Sequence, residues 1–330
     1  MGTSLVTGVN GHLLPNLVVR ELAARGETVR ALVLSAERPH PCERLPGCRV
    51  FYTDDLHGTG IEAALAGVET LYHATYLLQN GPRRAGDAER RTIERTRAVL
   101  TAAARQGVAR VVLVSCSVAI DPRAAGGWSA ATWNPAPAGL YERARVGAER
   151  LAWELAAEGG LSMTSVLPTK MIGPFRFGRH TTGSMGLLEG ALFPRRFPPA
   201  LDDGELHNWV DVRQVARATL AAAERGRPGA RYLLANPEFL DLGVLHELAL
   251  ELAPNLRPPR RLGPLGRRML TATVALLTRE TPPAPRRTAP SAVEIGPAAE
   301  ALGFAPGDPR ETVREVYRFL WRERRPGSAA

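Results

Sequence analysis

Apolar residues along this chain gather into short runs that alternate with stretches of helical spacing. Ser4 to Thr7 is a brief β-type run ending at Gly8, and Leu13 to Arg25 then places apolar residues at helical steps until Gly26 closes the segment. Thr28 to Leu34 predicts a second strand, Arg49 to Thr53 a third and Val68 to Ala74 a fourth, with a short helix over Ile61 to Ala66. A long helix around Glu89 to Gln106, a buried strand RVVLVS from Arg110 to Ser115, a helix over Tyr141 to Glu158 and a strand in MTSVLPT continue the alternation. Strands apolar throughout and separated by helices predict a parallel sheet covered on both faces.

Beyond Ser162 the regularity loosens. Gly173 to Leu201 is rich in Gly, Pro and Arg and predicts mostly loop of the kind that lines sites. Val210 to Arg225 and Arg231 to Leu234 restore a helix and a strand, Arg257 to Ser291 is Pro/Arg-rich, and Thr312 to Arg324 is an amphipathic helix. The expected organisation is a larger α/β domain over 1–170, with 206–234 returning to it, and a smaller subdomain made of 171–205 and 235–330.

Composition narrows the function classes. With 330 residues, 45% hydrophobic and 23% charged, the chain can bury a substantial core. The net charge of +9 invites a nucleic-acid partner, yet the basic residues do not gather into a stripe with interleaved aromatics. Of the 42 basic residues one is a lysine, Lys170, and the rest are arginines scattered among Ala, Gly and Pro. No nucleic-acid partner is therefore expected. Cys42, Cys48 and Cys116 cannot all pair and lack zinc-site spacing, so no metal is expected and a reducing cytoplasm fits. No secretory signal is legible, and the apolar stretch Met269 to Leu277 is too short for a bilayer, so no membrane contact is expected.

TGVNGHLL, Thr7 to Leu14, lies between the first strand and the first helix. A dinucleotide site needs glycine there for the tight turn and for close approach of the backbone to a pyrophosphate at the helix N-terminus. Gly8, Asn10, Gly11, His12 and Leu13 are the expected contacts; taken alone, the segment also fits an ordinary tight turn. Leu14 and Pro15 stand where a third glycine would allow close helix-to-strand packing, which predicts a helix pushed outward or a rearranged first turn. The second strand ends in Val33, Leu34 and Ser35 with no acid to bind a ribose 2′-hydroxyl, and Arg38 is the nearest downstream cation. That pattern favours NADP(H) over NAD(H), an ordinary solvated loop arginine being the other reading. In YERAR, Tyr141 and Arg145 share one helix face.

With TDDL at Thr53 to Leu56, LYHAT at Leu71 to Thr75 and VSCS at Val114 to Ser117, these segments resemble the extended short-chain dehydrogenases/reductases, a superfamily that includes NAD-dependent epimerases/dehydratases and dihydroflavonol reductases. Asn208 to Leu234 and Ala298 to Leu320 extend the resemblance over nearly the whole chain, although Arg213 and Gln214 replace the paired acids usual in the first. The resemblance implies an α/β fold: a Rossmann-type doubly wound parallel sheet with a smaller, mostly C-terminal substrate-binding subdomain. It further implies that Asp55 and Leu56 hold the adenine, that Ala74 and Thr75 let the cofactor cross, and that Pro168 and Thr169 form a turn beside the nicotinamide. His73 is expected to be a structural histidine.

The resemblance also gives Tyr141 the proton transfer, with Arg145 in the place of a lysine that supports it and binds the nicotinamide ribose. The family's serine or threonine falls on Cys116, flanked by Ser115 and by Ser117, which lies 24 residues before Tyr141. A thiol donates poorly, so either Ser117 has taken the role or the polarising group is missing. Lys170, spared by the arginine bias, is a further candidate proton donor, an ordinary surface lysine being the other reading. The implied activity is NADPH-dependent reduction of a carbonyl on a small, largely apolar substrate, as in a ketoreductase step of secondary metabolism. Open alternatives are a redox-neutral isomerase, cyclase or dehydratase using Tyr141 as acid/base, and a non-catalytic NADP-binding sensor or partner protein. A helix-to-helix homodimer is common in the family.

Overall fold

The computed structural model describes residues 2–9, 13–34, 39–53, 59–74, 85–174, 183–193, 201–202, 204–252, 260–266, 268–269, 272–273 and 288–323. Its strands in chain order are β1 (Thr3–Val6), β2 (Thr28–Leu34), β3 (Cys48–Thr53), β4 (Thr70–Ala74), β5 (Arg110–Val114), β6 (Ser162–Pro168), β7 (Lys170–Ile172), β8 (Leu201–Asp202), β9 (His207–Asp211), β10 (Arg231–Leu234), β11 (Phe239–Leu240) and β12 (Arg260–Arg261). The helices are α1 (Leu13–Ala24), α2 (Thr59–Leu65), α3 (Ala85–Arg105), α4 (Gly139–Glu158), α5 (Ser184–Leu192), α6 (Val212–Arg225), α7 (Leu242–Leu252), α8 (Gly296–Leu302) and α9 (Pro309–Glu323).

Seven strands form one parallel sheet in the order β10-β6-β5-β4-β1-β2-β3. Successive side chains on a strand point to opposite faces, and here both faces are buried. Leu5, Leu71 and Leu113 go to one side, where Leu100 of α3 and Ala152 of α4 meet them. Val6, Tyr72 and Val112 go to the other, against Val18 of α1 and Val215 of α6. Each wholly buried Val or Leu contributes about 1.5–3 kcal/mol, so the apolar runs that predict the strands also fix the layers.

β7, β9 and β11 form a second sheet, β7 parallel and β11 antiparallel to β9. Its core takes Leu188 from α5, Leu245 from α7 and Val313 and Tyr317 from α9. Two expectations are corrected. Gly173 to Leu201 contains α5, whose Leu188 and Leu192 are buried, because packing outweighs the glycines at 186 and 190 inside the helix. The helix expected from Val210 starts at Val212: His207–Asp211 is a buried strand, and the Asp211 carboxylate accepts the Arg213 N–H at 2.8 Å as the helix cap. Residues 207–211 therefore sit in the second sheet, and the chain returns to the first with α6.

Candidate active site

In an open parallel sheet the crevice lies beyond the carboxyl ends of the strands where the strand order reverses. Here that point lies between β1 and β4, since β1 pairs with both β2 and β4. Gly8 leaves β1 at φ 77°, in the left-handed region, and a Cβ there would stand 2.9 Å from Ala74 Cβ and 3.1 Å from the Ala74 carbonyl oxygen. Glycine at 8 and a small residue at 74 thus let two strand ends close together. Leu13 opens α1, and Pro15 occupies its first turn, where a missing N–H costs little. Leu14 is 0% exposed, in the core with Val6, Val18 and Val212, so its bulk is taken up inside and does not project into the crevice.

Asn16 was not singled out by sequence, yet its Nδ2 donates to the Val9 carbonyl at 2.7 Å, pinning the turn to the helix, and it accepts from Cys42 Sγ at 3.6 Å. Gly8 at the end of β1 and Leu13 at the N-terminus of α1 are the described residues that would flank a dinucleotide pyrophosphate at the switch point. Asn10, Gly11, His12, Arg38, Asp55, Leu56 and Thr75 lie outside the described residues.

The second cluster follows β5. Cys116 precedes a 3₁₀ turn over Ser117–Ala119, and Tyr141 stands in the first turn of α4. The Tyr141 hydroxyl donates to Cys116 Sγ at 3.5 Å, and the Arg145 guanidinium carbon lies 5.2 Å from the centre of the Tyr141 ring. The structure thus brings Cys116, rather than Ser117, against the tyrosine. Tyr141 is 41% exposed, with its hydroxyl against Cys116 and Arg145 beside its ring. Burial of that hydroxyl pushes the phenol above the ordinary tyrosine range; Arg145 pulls the other way and Cys116 adds to the rise.

The remaining candidates lie at the end of β6 and the start of β7. Pro168 ends β6 opposite Leu234, and the Thr169 hydroxyl is committed to Asn208 Oδ1 at 2.9 Å. Lys170 lies on the second sheet beside Trp209 and makes no hydrogen bond to Tyr141. It helps hold the buried His207 neutral, with a pKa of about 3 set first by burial and then by the lysine charge. Among the described residues no group of His, Cys, Asp or Glu could hold a metal, and no helix is long and apolar enough to cross a membrane.

His73 is buried between Thr7, whose Oγ1 is 2.8 Å from Nδ1, and Thr96, whose Oγ1 is 3.4 Å from Nε2. Burial, then the charge of Arg145, lowers its pKa to about 4. The unfolded chain takes up this proton near the ordinary histidine value of about 6.5, so stability is complete above that pH and is lost as pH falls toward 4. The expected loss is on the order of 2–3 kcal/mol, and His207 adds to it with the same sign. Urea unfolding of His73→Gln should show a smaller drop between pH 7 and pH 5 than the parent; an equal drop would assign the effect elsewhere.

A buried network completes the cluster. The Glu149 carboxylate on α4, wholly buried, accepts Ser115 Oγ at 2.6 Å, Ser165 Oγ at 2.8 Å and Arg231 Nε at 2.9 Å. Sequence gives no sign of this pair, since Glu149 and Arg231 are 82 residues apart.

The model of the NAD dependent epimerase/dehydratase family matches residues 4–235. Sterol demethylase protein B of Methylococcus capsulatus is 34% identical over 267 residues, 78% of this chain and 76% of that protein. Cinnamoyl-CoA reductase 1 of Oryza sativa subsp. japonica is 31% identical over 249 residues, 69% of each chain. Dihydroflavonol 4-reductase of Hordeum vulgare is 28% identical over 193 residues, 53% of this chain and 54% of that one. Among solved structures, MoeE5 in complex with UDP-glucose and NAD superposes with a TM-score of 0.74 at 23% identity, over 98% of this chain and 99% of that one, a likeness of fold. The glycine turn, the seven-stranded parallel sheet and these matches together place the chain in the NAD-dependent epimerase/dehydratase family of extended short-chain dehydrogenases/reductases.

Proposed function

We propose that this chain is an oxidoreductase that uses NADPH to reduce a carbonyl on a small, largely apolar molecule, with the proton supplied by Tyr141. The observation that carries the reading is the Tyr141 hydroxyl 3.5 Å from Cys116 beyond the end of β5, with Arg145 beside the ring. The cofactor, when bound, supplies the hydride. A phenol raised above its ordinary range rests protonated near neutrality, which is the form a donor to a carbonyl oxygen needs. Arg145 keeps a positive field there and can bond a ribose, although it does not relay a proton as lysine does. Because the Cys116 thiol is a weak donor, orienting the substrate oxygen falls mainly to Tyr141. Two of the relatives carry the name reductase and one is named for a sterol, which supports both the reaction class and an apolar substrate.

The choice of NADPH rests on the missing acid after β2 and on Arg38. Nicotinamide fluorescence titration should give tighter binding of NADPH than NADH, and Arg38→Ala should weaken NADPH about tenfold while leaving NADH unchanged. Equal affinities in the parent would overturn the preference. The activity itself is tested by loss of reduced-nicotinamide absorbance with a panel of ketones and aldehydes. Oxidation with any member supports the reading; binding without oxidation across the panel favours redox-neutral chemistry at Tyr141, and absence of binding removes the reductase.

A further inference from the structure

The buried charges Glu149 and Arg231 are not used by the reaction described above, and their bonds have an unusual distribution. Arg231 makes five hydrogen bonds, matching the five N–H donors of a guanidinium. Nε goes to Glu149 Oε1 at 2.9 Å, one Nη2 bond to Glu149 Oε2 at 3.3 Å and another to the Ala119 carbonyl at 3.4 Å. Nη1 bonds the carbonyls of Ala130 and Thr132, each at 2.7 Å. The guanidinium carbon also lies over the Trp133 ring, 3.7 Å from its centre. Glu149 in turn receives four donors, two from Arg231 and one each from Ser115 and Ser165, which fills the acceptor capacity of a carboxylate.

Four elements meet at this pair, and two of its bonds bracket the site. Ser115 directly precedes Cys116, and Ala119 ends the 3₁₀ turn that Cys116 begins. Glu149 lies on the same helix as Tyr141, at successive four-residue steps through Arg145. The segment that carries the thiol is thus held on one side by Glu149, on the helix that carries the phenol, through Ser115, and on the other by Arg231 through Ala119. A buried ion pair holds a fold together no better than apolar side chains of similar volume. What this pair adds over apolar packing is register.

We propose that Glu149 and Arg231 are positioning residues that set the distance between Cys116 and Tyr141. The inference rests on the reductase reading for its kinetic consequence, while the contact itself can be read without any substrate. A misplacement of about 1 Å at a reacting group is enough to cost up to roughly a hundredfold in rate.

Glu149→Gln and Arg231→Lys keep the size or the charge but lose part of the bonding. Alkylation of the folded protein by iodoacetamide, followed peptide by peptide by mass spectrometry, reports Cys42, Cys48 and Cys116 separately. In both variants the rate at Cys116 should rise at least about threefold while Cys42 and Cys48 keep the parent rates, and any measurable carbonyl reduction should show kcat lowered about 10- to 100-fold with KM within about twofold. Unchanged alkylation at Cys116, or a parallel rise at all three cysteines as general loosening would give, overturns the proposal. If the parent oxidises no NADPH with any carbonyl, the reductase reading fails while the alkylation comparison still decides this one.

Discussion

Replacing Tyr141 with phenylalanine is expected to lower the turnover of carbonyl reduction by about 10²–10⁴-fold while leaving NADPH affinity near that of the parent. The hydroxyl is the only group removed, and it donates to the Cys116 thiol, a partner of little structural weight, on the half-exposed rim of the crevice. The variant should therefore fold normally. Loss of rate with unchanged KM would mark an interaction made in the transition state. Because the phenol rests protonated, the parent rate should change little across neutral pH and fall only on the alkaline side. A Tyr141→Phe enzyme with parental turnover would move the proton source to water or to the substrate.

The second large effect concerns folding. Arg231→Met is expected to destabilise the protein by about 3–5 kcal/mol, read from the urea midpoint, because Glu149 is wholly buried and loses the cation it is paired with. The side chain of Arg231 is itself only 8% exposed, so solvent screening does little to soften the loss. Combining it with Glu149→Leu should recover part of the stability, since removing both charges avoids leaving one of them unpaired. An unchanged midpoint in Arg231→Met would show that Glu149 is satisfied by the two serines alone.

The sheet was largely legible because parallel strands buried on both faces read as continuous apolar runs, and RVVLV and SMTSVLP are of that kind. Gly8 and Ala74 were both expected at the cofactor turn, and their close approach supplies the reason both are small. Where sequence fell short, long-range packing decided. A five-residue strand such as His207–Asp211 has too little length to separate it from the helix that follows. Counting along VSCS put the family's hydroxyl position on Cys116 and left Ser117 as a substitute; the start of the 3₁₀ turn after β5 brings the Cys116 thiol against Tyr141. The bond from the Thr169 hydroxyl to Asn208 Oδ1, on a strand 39 residues further on, gave no sign of itself in the sequence. Leu14 contradicted the glycine pattern until the core was seen to absorb it.

The account stands on hydride passing from the reduced nicotinamide to a carbonyl in this crevice. The most direct measurement uses NADPH deuterated at the transferable position, with a carbonyl substrate and mass analysis of the product. The expected result is an alcohol that carries the deuterium on the former carbonyl carbon. A product formed without deuterium, with the NADPH left intact, would contradict the account.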